Sequence, residues 1–345
     1  MASRAHQLLH DRAPIPLTLS SDIENTAKQA FPLHTSVALV GKAPLLDSLG
    51  SQLWNAATNL IREQEHQNGS NHQHYDGPRL AVLLRTFAFL LVDAAHHASS
   101  RRAKDHDQRV RSFKIANKAA KFCLERDDLE LALKVFERSA EYVSQTEEDA
   151  PIVRIAEATD GRQDELGLTL QRLTCEYYLL RMTHSWRSDR FDMADHFFSK
   201  VNPGGFALSA SLAEQAADLL HEAGKSLAAK HDEEAAARWC EKALSALDAV
   251  EPEDLTPDVT ELRLAIVATL VAMLLARPGN AGNYSRASAI VEELDSTYGM
   301  GNRMAVCLMR FEILTSLSPV NAEELDSILR QLITLTVITD KTFKT

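Results

Sequence analysis

The stretch "LHEAGKSLAAKHDEEAAARWCEKALSAL", Leu220–Leu247, decides the fold class of this chain. Small residues stand at intervals along it, with larger apolar residues between them. The small residues are Gly224, Ala236 and Ala243. Because small side chains let two helices approach closely, this stretch predicts two helices that pack across the polar turn "KHDEE".

The same arrangement recurs elsewhere in the sequence. Within each copy, the order of small and large residues matches the tetratricopeptide (TPR) motif, which is two antiparallel helices in about 34 residues with small residues where the helices meet. The copies themselves are spaced more widely than this period, so the array is degenerate. One upstream copy centres on Ala132 and another on Ala194, and a weaker downstream copy centres on Ala287. The predicted structural repeat positions are Ala120, Ala132, Phe136, Ala194, Phe198, Gly224, Ala236 and Ala243.

The apolar pattern predicts an all-α protein. Apolar residues recur at three- and four-residue spacings, and strand-like alternation is almost absent. Helices are predicted at 22–30, 51–66, 79–98, 108–125, 128–143, 164–187, 190–200, 208–230, 232–249, 259–276, 284–297, 303–316 and 321–338. The predicted fold is a degenerate TPR-like α-solenoid of antiparallel helix pairs. A generic helical bundle with small core residues is the alternative.

The composition along the chain predicts its domain organisation. Residues 1–20 are expected to form a flexible N-terminal tail, and residues 21–345 the helical array. Two interruptions are expected within the array. Residues 66–78 are polar and nearly uncharged, which predicts a disordered loop. Residues 144–165 are expected to form an insert between two helix pairs.

The charge balance argues against several classes of partner. The 345 residues include 48 acidic and 37 basic side chains, a net charge of -11. Nucleic-acid binding usually depends on clustered Lys and Arg, so no direct nucleic-acid binding is expected. A membrane span is not expected either. The basic segment Ser99–Lys114 is interpreted as a solvated helix start, with a localisation signal or a local patch as alternatives.

No motif in the sequence predicts chemistry. The segment Ser36–Pro44 contains the Gly-Lys of a phosphate loop but lacks the first Gly and the final Ser or Thr. Neither the pair His72 and His74 nor the "DAAHH" segment is expected to bind a metal. The four cysteines are far apart and are expected to be buried thiols. We therefore predict no enzyme: no catalytic, cofactor-binding or metal-binding residues, no cofactor and no small-molecule substrate.

Several segments together resemble a known family. They include "LWNAATNLIRE" (Leu53–Glu63), "LLRTFAFLLVDAAHH" (Leu83–His97), "ANKAAKFCLERDDLELALKVFERSAEYV" (Ala116–Val143) and "CEYYLLRMTHSWRSDRFDMADHFFSKV" (Cys175–Val201). These segments are similar to the meiosis-specific TPR scaffolds of the synapsis-initiation (ZMM) group. That group includes the fungal sporulation-specific Spo/Zip-type proteins and mammalian testis-expressed protein eleven. Its members are longer, so the resemblance implies that this chain corresponds to an N-terminal portion.

The resemblance implies a function as well as a fold. It implies a non-enzymatic protein-interaction scaffold that acts in the nucleus, on meiotic chromosomes, and supports crossover formation, chromosome synapsis and segregation. Its expected partners are meiotic crossover factors and chromosome-axis or synaptonemal-complex components. The alternative is a cytosolic TPR adaptor or co-chaperone of an unrelated pathway.

Overall fold

The computed structural model describes residues 41–67, 77–98, 106–156, 161–201, 208–276, 281–317 and 319–338, with a few isolated residues before residue 26. Apart from those isolated residues, the described segments contain eleven α-helices and no strand. They are α1 (Ala43–Gln67), α2 (Gly77–Ala98), α3 (His106–Glu125), α4 (Leu129–Ala156), α5 (Gly161–Arg187), α6 (Phe191–Ser199), α7 (Ala210–Ala229), α8 (Glu233–Asp248), α9 (Val259–Leu275), α10 (Ala281–Ser316) and α11 (Ala322–Ile338). The all-α prediction is confirmed.

Most helix boundaries lie within a few residues of the predicted ones, and three differences are larger. Helix α1 begins at Ala43, eight residues before the predicted start, and α4 continues to Ala156 instead of ending near 143. Both ends of the predicted insert 144–165 are therefore helical. Helix α10 spans two predicted helices. Residues 68–76, in the predicted disordered loop, and most of the predicted tail 1–20 lie outside the described residues.

The chain divides into two compact units, residues 1–203 and 204–345. In the first unit each helix from α1 to α6 packs against the next, and α3 also packs against α5. In the second unit each helix from α7 to α11 packs against the next, and α7 also packs against α9. Each unit therefore contains helix pairs in which the first helix of one pair contacts both helices of the pair before it.

We number these helix pairs along the chain. Pair 1 is α1 with α2, pair 2 is α3 with α4, and pair 3 is α5 with α6. In the second unit, pair 4 is α7 with α8, and pair 5 is α9 with α10. Within each pair, the helix that comes first in the chain is called the first helix.

Pairs 2, 3 and 4 are closed by the same three-residue turn. The middle residue of each turn has a left-handed backbone: φ is 57° at Asp127, 61° at Asp189 and 61° at His231. No other described non-glycine residue has a positive φ. In each turn the next N–H donates to the carbonyl five residues back: Asp128 to Cys123 at 2.9 Å, Arg190 to Ser185 at 2.9 Å and Asp232 to Leu227 at 3.1 Å. This is the Schellman motif, which ends one helix and reverses the chain into the next.

An aspartate side chain starts the second helix after two of these turns. The Oδ1 atom of Asp128 accepts from the N–H of Leu131 at 3.1 Å, and that of Asp232 from the N–H of Ala235 at 3.0 Å. Such N-caps satisfy donors that the first helical turn leaves without a partner. The charged residues of the predicted turns therefore fix where the second helix begins.

Helix α10 cannot be straight. The Nη2 atom of Arg310 lies 2.8 Å from Oδ2 of Asp295, fifteen residues earlier in the same helix. In a straight α-helix those two residues would be roughly 22 Å apart along the axis, beyond the reach of their side chains. The chain must turn back between them, where Gly299 and Gly301 lie. The two predicted helices, 284–297 and 303–316, correspond to the two arms of this bend.

Candidate interaction surface

Gly224 lies where the two helices of pair 4 meet. A Cβ atom added to it would lie 3.1 Å from Sγ of Cys240 and 3.3 Å from the carbonyl oxygen of Ala236. Ala236 and Ala243 are fully buried. The helices are thus close enough at this point that a larger residue at Gly224 must push them apart.

The remaining predicted repeat residues all lie in pairs 2 and 3. Ala120, Ala132, Phe136 and Ala194 are buried. Phe198, on the short helix α6, is half-buried. Each position-defining alanine, Ala132, Ala194 and Ala236, stands five residues after the left-handed residue of its turn.

Pair 1 has the same close contact as pair 4, and we did not predict it. A Cβ atom on Gly50 would lie 2.8 Å from Cγ2 of Val92, 2.9 Å from the carbonyl oxygen of Ala88 and 3.2 Å from Cβ of Leu91. Gly224 likewise contacts three residues at positions i, i+3 and i+4 of its partner helix, namely Ala236, Trp239 and Cys240. Leu53 and Ala95 in pair 1 likewise correspond to Leu227 and Ala243 in pair 4, and all four are buried.

Polar side chains join the first helices of consecutive pairs inside each unit. Between α3 and α5, Nδ2 of Asn117 donates to the carbonyl of Leu173 at 2.9 Å and to Oε2 of Glu176 at 3.2 Å. Between α7 and α9, Nε2 of His221 lies 2.9 Å from Oγ1 of Thr269. Asn117 and His221 each stand 15 residues before the repeat alanine of their own pair, Ala132 or Ala236. Glu176 and Thr269 each stand 18 residues before theirs, Ala194 or Ala287. The same link therefore recurs in both units.

A similar link joins α1 to α3. The Nη1 atom of Arg111 lies 2.6 Å from Oδ1 of Asp47, and its Nη2 atom donates to the hydroxyl of Ser51 at 2.7 Å. Both charged groups are about a third exposed, so this ion pair orients the helices more than it stabilises them.

The end of α5 is fixed to the turn of pair 2. Nη1 of Arg187 donates to the carbonyl of Leu124 at 2.6 Å, and Nε2 of His184 donates to the carbonyl of Leu129 at 3.1 Å. Partial burial of the imidazole lowers the pKa of His184, mainly by desolvation of the charged form. The pKa of His221 is lowered for the same principal reason.

A buried charged cluster connects α2 to α4. The guanidinium of Arg138 donates to Oδ2 of Asp93 from Nε at 2.9 Å and from Nη2 at 2.6 Å. The hydroxyl of Tyr142 donates to Oδ1 of the same carboxylate at 2.8 Å, and burial raises the pKa of this phenol. Asp93 is thus satisfied on both oxygens, which a buried carboxylate requires.

The residues considered for chemistry do not form a reactive site in the described part of the chain. The Nδ1 atom of His97 lies 2.8 Å from the carbonyl oxygen of Asp93, and its Nε2 atom lies 2.9 Å from Oε2 of Glu141. No group of metal-ligating side chains of the size a metal ion needs occurs among the described residues. His72 and His74 lie outside those residues, as does Ser36–Val40 of the segment that resembles a phosphate loop.

The four cysteines are free thiols. Burial raises the pKa of Cys123 and the pKa of Cys240 to about 12, so both thiols stay protonated at neutral pH. Among the helices that the structure describes, one segment, Arg79–Ala98, is long and apolar enough to cross a membrane by composition, but most of it is buried inside the protein, as in a core helix.

The exposed face of α3 carries a row of lysines. Lys114, Lys118 and Lys121 are exposed and lie on one side of the helix, at the spacing of successive turns. Among the described residues no carboxylate forms an ion pair with any of them. We call these three residues the lysine row.

The family comparison bears on the second part of the chain. Residues 184–345 match the family described as meiosis protein SPO22/ZIP4 like. The predicted resemblance to meiosis-specific Spo/Zip-type proteins is confirmed over this region. No curated protein and no solved structure matches the chain. The match covers just under half of the sequence, from the end of α5 onward, and it supports a role in meiosis.

Proposed function

We propose that this chain is a non-enzymatic protein-interaction scaffold that acts in meiosis. The family match carries the meiotic part of this proposal. The scaffold part rests on the architecture, because helix pairs that stack in register present extended surfaces for other proteins. In this proposal the scaffold acts in the nucleus, on meiotic chromosomes, and supports crossover formation, synapsis and segregation.

The helix pairs are proposed to be degenerate TPR-like repeats that form an α-solenoid. Three independent features support this assignment in the described residues. Gly50 and Gly224 occupy equivalent close contacts, the turns at Asp127, Asp189 and His231 share one geometry, and polar links recur between first helices. A bundle that acquired small core residues by chance would have no reason to repeat these three features at equivalent positions of its helix pairs.

The proposed partners are proteins, namely meiotic crossover factors and chromosome-axis or synaptonemal-complex components. A catalytic role is not proposed. The polar cluster of Asp93, Arg138 and Tyr142 is buried, and its groups bond to one another. The geometry of this cluster stabilises the packing of α2 against α4.

Affinity purification from synchronised meiotic cells, followed by mass spectrometry, tests this proposal. The expected result is co-purification of crossover and chromosome-axis proteins with the parent chain and much less with Ala236→Arg, which disrupts pair 4. Recovery of chaperones or transport machinery in place of meiotic proteins would contradict the proposal and favour a cytosolic adaptor. Hydrolase or transferase activity of the purified chain would contradict its non-enzymatic character.

A further inference from the structure

The lysine row on α3 differs from several other exposed basic residues. Several exposed bases are matched by a carboxylate one helical turn away, as in Lys225 with Glu222, Arg238 with Glu234 and Arg330 with Asp326. Among the described residues, the lysine row has no such match. Glu125 stands one turn after Lys121, but among the described residues it forms no ion pair with it.

Two carboxylates that reach α3 from neighbouring first helices, both among the described residues, are already bonded. Asp47 of α1 pairs with Arg111, and Glu176 of α5 accepts from Asn117. The three lysines therefore concentrate positive charge on a chain whose net charge is -11. Unmatched charge of one sign on an exposed helix attracts groups of the opposite sign.

We propose that the lysine row, Lys114, Lys118 and Lys121, is a docking site for an acidic helical segment of a partner protein. The row extends for roughly 10 Å along α3, the length of two helical turns. A partner helix with carboxylates at i, i+4 and i+7 would bring one carboxylate to each lysine. This inference rests on the proposed scaffold function and assigns one of its contact surfaces.

The charge of the whole chain distinguishes an acidic helix from nucleic acid. Duplex DNA carries a negative charge about every 1.7 Å of its axis, and these charges continue far beyond the ends of the lysine row. The affinity of a protein for DNA depends on how many phosphates it neutralises. Three lysines neutralise only about three phosphates, while the acidic remainder of the chain repels a long polyanion. A short acidic segment meets the row and little else.

The test uses the full chain and a labelled 15-residue helical peptide with glutamates at i, i+4, i+7 and i+11. The variant Lys114→Glu/Lys118→Glu/Lys121→Glu is compared with Lys225→Glu/Arg238→Glu/Arg330→Glu, which makes the same change in net charge at ion-paired sites. A second peptide carries Gln in place of every Glu. Circular dichroism checks that all proteins remain folded, which exposed positions should allow.

We expect reversal of the lysine row to weaken binding of the Glu peptide about tenfold or more, as exposed ion pairs of modest strength add up. The charge-matched control should weaken binding about threefold at most, and the Gln peptide should bind as weakly as the Glu peptide does to the reversed row. Equal losses in both variants, or equal binding of both peptides, would overturn the proposal.

Two further measurements separate the possible outcomes. Tighter binding of a 20-base-pair DNA duplex than of the Glu peptide, lost on reversal of the row, would assign the surface to nucleic acid and overturn the proposal. Co-purification of the same meiotic proteins by the parent and the reversed variant would refute this surface alone. Absence of meiotic proteins from the parent purification would instead refute the scaffold function.

Discussion

Single small residues set how closely the helices of a pair approach. At Gly50 an added Cβ would lie within 3.0 Å of both a side-chain atom and a backbone carbonyl, and backbone cannot move aside without shifting the helix. At Gly224 the nearest contacts are slightly longer, at 3.1 and 3.3 Å. The two sites are equivalent in position and differ in how much room they leave.

Gly50→Ala should therefore destabilise the protein. The expected loss is about 1–2 kcal/mol, because overpacking outweighs the better helix propensity of alanine. Gly41→Ala is the matched control, since an added Cβ there meets nothing within 4 Å. Urea unfolding measures the free energy of unfolding of both variants, which can be compared if their m-values are equal. A Gly50→Ala variant as stable as the control would show that the helices of pair 1 are not in close contact.

The left-handed turn residues give a second prediction at this scale. His231 has φ 61°, a conformation that costs an L-residue about 1 kcal/mol and glycine almost nothing. His231→Gly should raise the stability by up to about 1 kcal/mol. Lys230→Gly, one residue earlier with φ -92°, should lower it. Thermal melts of the two variants test the turn geometry, and the opposite order would contradict it.

Residue patterns predicted repeat copies in pairs 2, 3 and 4 and a weaker copy in pair 5, but none in pair 1. In pair 4 Gly224 and Ala236 are only twelve positions apart, so the pattern is recognisable as one motif. In pair 1 the polar segment between α1 and α2 separates Gly50 from Ala88 far more widely, and no fixed period reveals their relationship. The equivalence of Leu53 with Leu227, and of Ala95 with Ala243, was the available signal.

At the scale of helices, hydrogen bonds between pairs were beyond prediction from the sequence. The bonds from Arg138 to Asp93 and from Arg187 to Leu124 join residues 45 and 63 positions apart. Helix periodicity identifies which face of a helix is apolar, but it does not identify which polar side chain on that face finds which partner. Element type and order follow from local pattern, whereas these contacts follow from the packing.

Two histidines that link helices make the stability depend on pH. His184 and His221 have lowered pKa values in the folded state, relative to the ordinary value of 6.5. The unfolded state therefore binds protons at a higher pH than the folded state does. Their contribution to stability is complete above pH 6.5 and is lost as the pH falls through the folded-state pKa values.

His184→Gln/His221→Gln should consequently flatten the fall in stability between neutral pH and about pH 5. Gln retains a hydrogen-bond donor but does not titrate. His196→Gln, at an exposed position on α6, is the control and should leave the slope unchanged. Denaturant midpoints measured across this pH range test the prediction. An unchanged slope in the double variant would mean that neither histidine is linked to folding.

The bend in α10 gives a further prediction about an element. Spin labels at the exposed positions Glu292 and Glu312 would be roughly 30 Å apart along a straight helix of this length. The ion pair between Arg310 and Asp295 predicts a much shorter distance. Double electron–electron resonance measures it directly. A distribution centred near that straight-helix distance would show that α10 is unbent and that this ion pair does not form.

At the scale of the whole molecule, two compact units each contain stacked helix pairs, and the family match begins within the first unit and continues to the end of the second. Sequence reasoning predicted helices throughout and the meiotic family, because both depend on local patterns. It did not predict the division near residue 203, because apolar periodicity continues on both sides of it. Only the distribution of contacts between helices reveals that division.

The proposed function requires that this chain reach meiotic chromosomes and act there as a scaffold. Staining of an epitope-tagged chain on chromosome spreads from cells in meiotic prophase tests that requirement. We expect discrete chromosomal signal for the parent chain and a large reduction for Ala236→Arg, whose buried charge disrupts pair 4. Signal that remains in the cytoplasm throughout prophase, with the chromosomes unstained, would contradict the proposed function.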